Sequence, residues 1–121
     1  MKRDMDLVRA ILLHIEQRDT GDKFGPVAID GRDAESVAYH VRIMAQAGLL
    51  DHQREDRGLY ESRPDYTQIR MAWAGHEFLE AARDETQWQK AKAKVAGAAG
   101  GMVFGVLNAL LVEYAKKQVG L

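Results

Sequence analysis

Cysteine is absent from this chain of 121 residues, and its absence removes several kinds of chemistry at once. Without thiols the chain forms no disulfides, offers no thiolate ligands to a metal and has no cysteine nucleophile. The four histidines, at positions 14, 40, 52 and 76, are scattered and form no recognisable ligand set by themselves. We therefore expect no metal site, and a reducing, cytoplasmic location fits this composition.

A large net charge is also lacking. Lysine and arginine together number 17, aspartate and glutamate 18, and the net charge is −1. Such a chain has no general attraction to nucleic acid or to acidic lipid, so any binding of that kind must come from a local patch. The hydrophobic fraction of 46% nevertheless predicts a folded domain, because disordered chains combine low hydrophobicity with high net charge.

Motifs for catalysis or cofactor binding are missing as well. His76 begins the sequence HEFLE, in which Glu80 stands where the second histidine of a zinc protease motif would be. The glycines at 97–101 lack the lysine and Ser/Thr of a phosphate-binding loop, so nucleotide binding is not expected. We predict that the protein is not an enzyme and takes no cofactor.

An uncharged run from Val95 to Val112 raises the alternative of a membrane anchor. It spans 18 residues, contains Asn108 and is rich in glycine and alanine, whereas a membrane-spanning helix needs about 20 mainly apolar residues. We predict a flexible break at 97–101 followed by an amphipathic helix over 102–118, and no membrane association. This helix must cover an apolar surface, either the winged-helix core of its own chain or the same helix of a second copy, and we predict the homodimer. The apolar face consists of Val103, Val106, Leu107, Leu110, Leu111 and Tyr114.

The remaining patterns predict an α+β chain. Apolar residues at helical spacing, with capping and turn residues at the ends, indicate helices over 4–17, 33–47, 73–84 and 85–96. A short β-prone run is predicted at 27–29, and a β-hairpin from strands at 49–55 and 66–72. Trp73 is expected on the apolar face of its helix, with Phe78, Leu79 and Ala82.

The order of these elements is that of a winged helix with one helix missing or reduced. The stretch SVAYHVRIMAQAGLL, residues 36–50, resembles the recognition helix of winged-helix regulators of the ArsR and MarR types. In that pattern Val37, Val41 and Met44 seat the helix on the core, and Gly48 allows a left-handed cap. His40 matches the same pattern, so we expect it to have a structural role at the edge of the core. We predict a winged-helix domain over 1–84 and a C-terminal helical extension over 85–121, within a single structural unit.

The whole chain also resembles a bacterial and phage family known as domain of unknown function 2513. The resemblance rests on MKRDMDLVRAILLHIE at the start, YHVRIMAQAGLL in the middle, WAGHEFLEAARDETQW after the hairpin and LVEYAKKQVGL at the end. It implies a winged-helix-like fold and a phage or prophage origin. It implies no activity and no catalytic residue.

These features predict a transcriptional regulator that binds double-stranded DNA as a dimer. The expected contacts are Ser36, Tyr39, Arg42 and Gln46 on the recognition helix and Arg54, Arg57 and Arg63 on the hairpin. Between residues 32 and 63, however, five arginines are set against six acids. Since DNA affinity comes largely from neutralising phosphates, this balance keeps an alternative open, in which the scaffold is a non-catalytic module that binds a host or phage protein.

Overall fold

Five helices and one two-stranded antiparallel sheet make up the part of the chain that the structure, a computed structural model, describes: residues 1–18, 23–56, 58, 62–96 and 104–121. In chain order the elements are α1 (Met5–Glu16), α2 (Ala34–Gln46), β1 (Leu50–Asp56), β2 (Ser62–Met71), α3 (Trp73–Ala82), α4 (Glu85–Ala96) and α5 (Phe104–Gln118). The predicted α+β class is confirmed. The predicted flexible break at 97–101 lies outside the described residues.

The first two helices begin where aspartate side chains cap them. The Asp4 carboxylate accepts the backbone N–H groups of Asp6 and Leu7 at the start of α1. Asp33 does the same for Glu35 and Ser36 at the start of α2, which confirms the predicted cap. Each cap satisfies N–H groups that have no partner inside the helix.

The end of α2 sets the direction of the hairpin. Gly48 has a φ of +84°, a left-handed conformation that residues other than glycine rarely adopt. The turn lets the Leu49 N–H donate to the Met44 carbonyl and leads directly into β1, as the sequence predicted.

The strands of the hairpin pair in two segments. Leu50 lies opposite Met71 and His52 opposite Ile69, but the next residue, Gln53, lies opposite Asp65. Residues 66–68 are therefore extra on β2. The predicted second strand at 66–72 was too short, because the outer ladder extends back to Ser62.

The loop before α2 adds one bridge to this sheet. The backbone of Gly25 exchanges two hydrogen bonds of 3.0 Å with that of Ile69 on β2. The predicted β-prone run at 27–29 forms no strand, and the pairing occurs just before Pro26 instead.

The chain divides into two compact units, Met1–His76 and Glu77–Leu121. The division falls inside α3, whereas the sequence placed it after that helix, and the assignment of domains stays a prediction. The core of the first unit comprises Met5, Leu7, Val8, Ile11, Leu12, Ile15, Val37, Val41, Met44, Leu49, Leu50, Ile69 and Met71. The core of the second comprises Phe78, Leu79, Ala82, Trp88, Ala91, Val95, Leu107, Leu111 and Tyr114.

One predicted core position is wrong. Trp73, the first residue of α3, is 78% exposed, while Phe78, Leu79 and Ala82 are buried as expected. Gly75 explains the difference, because this residue and not Trp73 faces the hairpin. A Cβ at position 75 would lie 2.3 Å from the Leu49 carbonyl oxygen, so the backbone of α3 packs directly on the start of β1. Trp73, about 200° around the helix from Gly75, must then point away.

The second unit is built on the pairing of α4 with α5. The ring of Phe78 contacts Trp88 edge-on at 6.1 Å and Phe104 at 4.9 Å, measured between centroids. The Lys90 ammonium lies over the Tyr114 ring, 4.6 Å from its centroid. Among the described residues, no helix has both the length and the apolar character needed to span a membrane.

Candidate nucleic-acid interface

The four residues predicted on the recognition helix share one face of α2. Arg42 and Gln46 are exposed, and Ser36 and Tyr39 are half-buried. The opposite face, with Val37, Val41 and Met44, is buried in the core. The helical period separates the two sets, so α2 is anchored on one side and presents polar groups on the other.

Arg42 and two tyrosines form the most distinctive part of this face. The Arg42 guanidinium lies 5.7 Å from the centroid of the Tyr39 ring. The same two residues line a groove of about 380 Å³, to which β2 contributes Tyr66. Sequence reasoning missed Tyr66, because its approach to α2 depends on the extra residues of β2 and no local pattern signals it.

The arginines predicted on the hairpin are less available than those of a basic wing. Arg54 donates to the Ser62 hydroxyl at 3.0 Å and to the Ser62 carbonyl at 3.2 Å, so it is held along the ladder. Arg63 lies opposite Glu55 in the pairing register. Arg57 lies outside the described residues. Because β1 has three acids to one arginine, the hairpin contributes little net positive charge.

A buried histidine holds α2 in position against α1. The His40 side chain is 1% exposed, and its Nε2 accepts the backbone N–H of Asp4 at 2.8 Å. Its Nδ1 lies 2.7 Å from the Ser36 carbonyl oxygen, which requires that this nitrogen carry the proton. The predicted structural role of His40 is confirmed.

Asp4 also receives an ion pair from the loop before α2. Arg32 donates to its carboxylate at 2.6 Å. Burial raises the pKa of Asp4, but hydrogen bonds from Arg32 and from the Leu7 and Asp6 N–H groups outweigh it, so the pKa lies below its usual 3.8. One aspartate thus caps α1 and ties it to α2 and to Arg32.

Arg18 joins the end of α1 to the sheet, and no sequence pattern pointed to it. Its guanidinium donates to the carbonyl oxygens of Ile69 at 3.1 Å and Gly25 at 3.3 Å, and to that of Pro26. Burial lowers the pKa of Arg18 below its ordinary value, yet a guanidinium stays charged at neutral pH. This clamp fixes the loop beside β2 and so the base of the hairpin.

The residues predicted to form a dimer contact do not share one environment. Leu107, Leu111 and Tyr114 are buried within the second unit of a single chain. Val106 is 54% exposed and Leu110 is half-buried. Val103 lies outside the described residues. A second copy would therefore meet Val106 and Leu110 but not the three residues that already pack on the unit's own core.

Comparison with known proteins gives a family and no activity. The family model described as "Hypothetical protein (DUF2513)" matches residues 2–102. A protein of Haemophilus influenzae (strain ATCC 51907 / DSM 11121 / KW20 / Rd), named only as uncharacterized, is 34% identical over 98 residues, which cover 78% of this chain and 79% of that protein. No solved structure matches. The chain belongs to the DUF2513 family.

Proposed function

We propose that the protein binds double-stranded DNA through α2, in the manner of a winged helix, as a dimeric transcriptional regulator of phage or prophage origin that acts in the cytoplasm. The observation that carries this proposal is that α2 is buried on one side only. Its apolar face and His40 are seated in the core, and its polar face, with Tyr39 and Arg42, is open to a ligand. A rigidly held helix with an exposed polar face suits entry into a major groove.

The arrangement of strands supports the same reading. In a winged helix a short segment between the first two helices pairs with the second strand of the hairpin. The Gly25–Ile69 bridge is a one-residue version of that pairing. The direct passage from α2 through Gly48 into β1 corresponds to the junction of recognition helix and wing.

The proposed interface has few positive charges. Arg42 is the cation that α2 itself offers. Of the hairpin arginines, Arg54 is engaged by Ser62 and Arg63 lies opposite Glu55. Few phosphate contacts per chain imply a shallow dependence of affinity on salt, and a dimer would double the number. Because few phosphate contacts also make the binding weak, it should be easiest to detect at low ionic strength, where each contact contributes most.

The test is binding of the full chain to a labelled duplex from upstream of its own gene, measured by fluorescence anisotropy over a range of salt concentrations. Arg42→Ala should weaken binding by about tenfold and lower the salt slope by roughly one for each protomer of the dimer. Arg83→Ala, which removes an exposed arginine from the other unit, is the matched control and should bind as the parent does. Absence of any salt-sensitive binding at low ionic strength would refute the proposal.

The compensated charge of the hairpin favours a second candidate, a module that binds a host or phage protein through the same scaffold. On β1 the acids outnumber the arginine, which disfavours a phosphate backbone and is compatible with a protein surface. A stoichiometric protein partner that survives nuclease treatment, together with failure of the DNA assay, would replace the first proposal with this one.

A further inference from the structure

A groove on the first unit, to which α2 contributes no residue, is bordered by the exposed Trp73. It has a volume of about 390 Å³ and is lined by Ile15, Glu16, Asp51, Arg70, Met71, Ala72, Trp73 and His76. Ile15 and Met71 are buried core residues and form an apolar floor. Glu16 and Asp51 are exposed acids on the walls. We call this set the Trp73 groove.

The outward position of Trp73 is a fixed property of the local backbone. The Ala72 N–H donates to the Leu49 carbonyl at 3.0 Å, and the His76 N–H donates to the Ala72 carbonyl at 3.1 Å. Gly75 sits against the same Leu49 carbonyl, so α3 cannot rotate to bring the indole inward without a clash. A large aromatic ring held in solvent loses little conformational freedom when a partner covers it.

The charged residues around the Trp73 ring indicate which class of ligand the groove would bind. Arg70 is directed towards Asp51, with 3.6 Å between Nε and Oδ2, and its guanidinium lies 4.6 Å from the centroid of Phe24. The lining therefore has two carboxylates against one arginine, and its net charge is negative when His76 is neutral. A phosphate backbone would be repelled here, whereas a cation would be attracted both by the carboxylates and by the face of the indole.

We propose that the Trp73 groove binds a partner protein by accepting one of its arginine side chains, with the guanidinium stacked on Trp73 beside Glu16 and Asp51. The aliphatic stem of that arginine packs against the floor of Ile15 and Met71. Arginine suits the site because its planar group stacks on indole and pairs with carboxylates, and tryptophan is the residue type most enriched at interface hot spots. The proposal does not depend on DNA binding, since no residue of the groove belongs to the α2 face.

The experiment titrates the full chain with a short peptide in which one arginine lies between leucines and alanines. Its partner peptide has citrulline, an uncharged isostere, at the same place. A proton–nitrogen NMR correlation spectrum should contain two indole signals, because the chain has two tryptophans. The arginine peptide should shift the signal that disappears in Trp73→Phe and leave that of the buried Trp88 in place. The citrulline peptide should bind at least about fivefold more weakly.

Substitutions of the lining residues test whether the arginine peptide binds in the Trp73 groove. Trp73→Ala should weaken arginine-peptide binding by about tenfold, and Glu16→Gln with Asp51→Asn should remove the preference for arginine over citrulline. Trp73 is exposed, so its replacement should leave the far-ultraviolet circular dichroism spectrum, which reports the backbone fold, nearly unchanged. Glu113→Gln, an exposed carboxylate on α5, is the matched control and should bind as the parent does.

Three results would overturn the proposal. One is equal binding of the two peptides, and another is unchanged affinity in Trp73→Ala. The third is no saturable shift of the Trp73 signal by the arginine peptide up to about 1 mM. If duplex or single-stranded DNA shifted the Trp73 signal instead, the groove would be assigned to nucleic acid.

Discussion

The Nε2 atom of His40, in the middle of α2, accepts the backbone N–H of Asp4 at the start of α1, at 2.8 Å. The two residues are separated by 36 positions along the chain, so this bond fixes one helix against the other. Because α2 also presents the candidate DNA-binding face, the position of that face depends on a buried side chain on its opposite side.

His40→Ala should lower the free energy of unfolding by about 2 kcal/mol, since it leaves a cavity and removes the acceptor of the Asp4 N–H. His40→Gln keeps an acceptor at similar reach and should recover part of the loss. Urea unfolding followed by circular dichroism measures both. His76→Ala, at an exposed position, should change stability by less than about 0.5 kcal/mol. Equal stability of His40→Ala and the parent would show that the bond does not anchor α2.

Asp4 should make the stability of the protein depend on pH in the acid range. Its pKa is lower in the folded chain than in the unfolded one, so its contribution is complete above the unfolded value near 3.8 and is lost as the pH falls through the folded value. Asp4→Asn retains a capping side chain and removes only the charge. The stability difference from the parent, less than about 1 kcal/mol because the Asp4–Arg32 pair is partly exposed, should shrink below about pH 4. In the Arg32→Ala background most of the difference should be absent at every pH.

Gly75 cannot accept a side chain without movement of the backbone it touches. Gly75→Ala should destabilise the protein by about 3 kcal/mol, because the new Cβ would lie 2.3 Å from the Leu49 carbonyl oxygen. Gly105→Ala is the control, for which we expect a change in stability of the opposite sign. Position 105 is in α5 with open space around it, so alanine there should stabilise by about 0.5 kcal/mol. Thermal unfolding midpoints of the two variants should move in opposite directions.

Arg18 should contribute more to stability than an exposed arginine does. Arg18→Ala removes a charged donor from three backbone carbonyls and should cost about 2 kcal/mol. Arg18→Lys should restore little of the lost stability, because lysine lacks the planar guanidinium that reaches several carbonyls at once. Arg83→Ala breaks an exposed ion pair with Glu80 and should cost less than about 1 kcal/mol. A loss no larger for Arg18→Ala than for Arg83→Ala would argue against the clamp.

The faces of α5 allow the predicted dimer to be tested apart from folding. Leu111→Ala should destabilise the chain by about 3 kcal/mol, because Leu111 is fully buried in the second unit. Val106→Glu places a charge on an exposed position and should leave the fold intact. If α5 forms the dimer contact, Val106→Glu should convert the dimer to a monomer in light scattering at micromolar concentration. A dimer that persists in this variant uses another surface.

Structural features that depend on residues close together along the chain were predicted correctly from the sequence. The Asp33 cap, the left-handed Gly48 and the bounds of α4 follow from signals within a few positions of one another, and the structure confirms them. The buried His40 followed from a family pattern. In contrast, the exposure of Trp73, the carbonyl clamp of Arg18 and the approach of Tyr66 to α2 depend on which segments meet in space. Local periodicity has no information about such meetings, so these features were missed.

The change of register between His52 and Gln53 divides the hairpin into two separately registered parts. The inner part pairs residues 50–52 with residues 69–71 and is held by Gly25 and Arg18. The outer ladder pairs residues 53–56 with residues 62–65, and residues 66–68 of β2 lie between the two parts without a partner on β1. Such an arrangement is modular. An outer ladder exchanged for one of different length or sequence would leave the pairing of the inner part unaltered, so a new binding loop can be grafted there without disturbing the base of the hairpin.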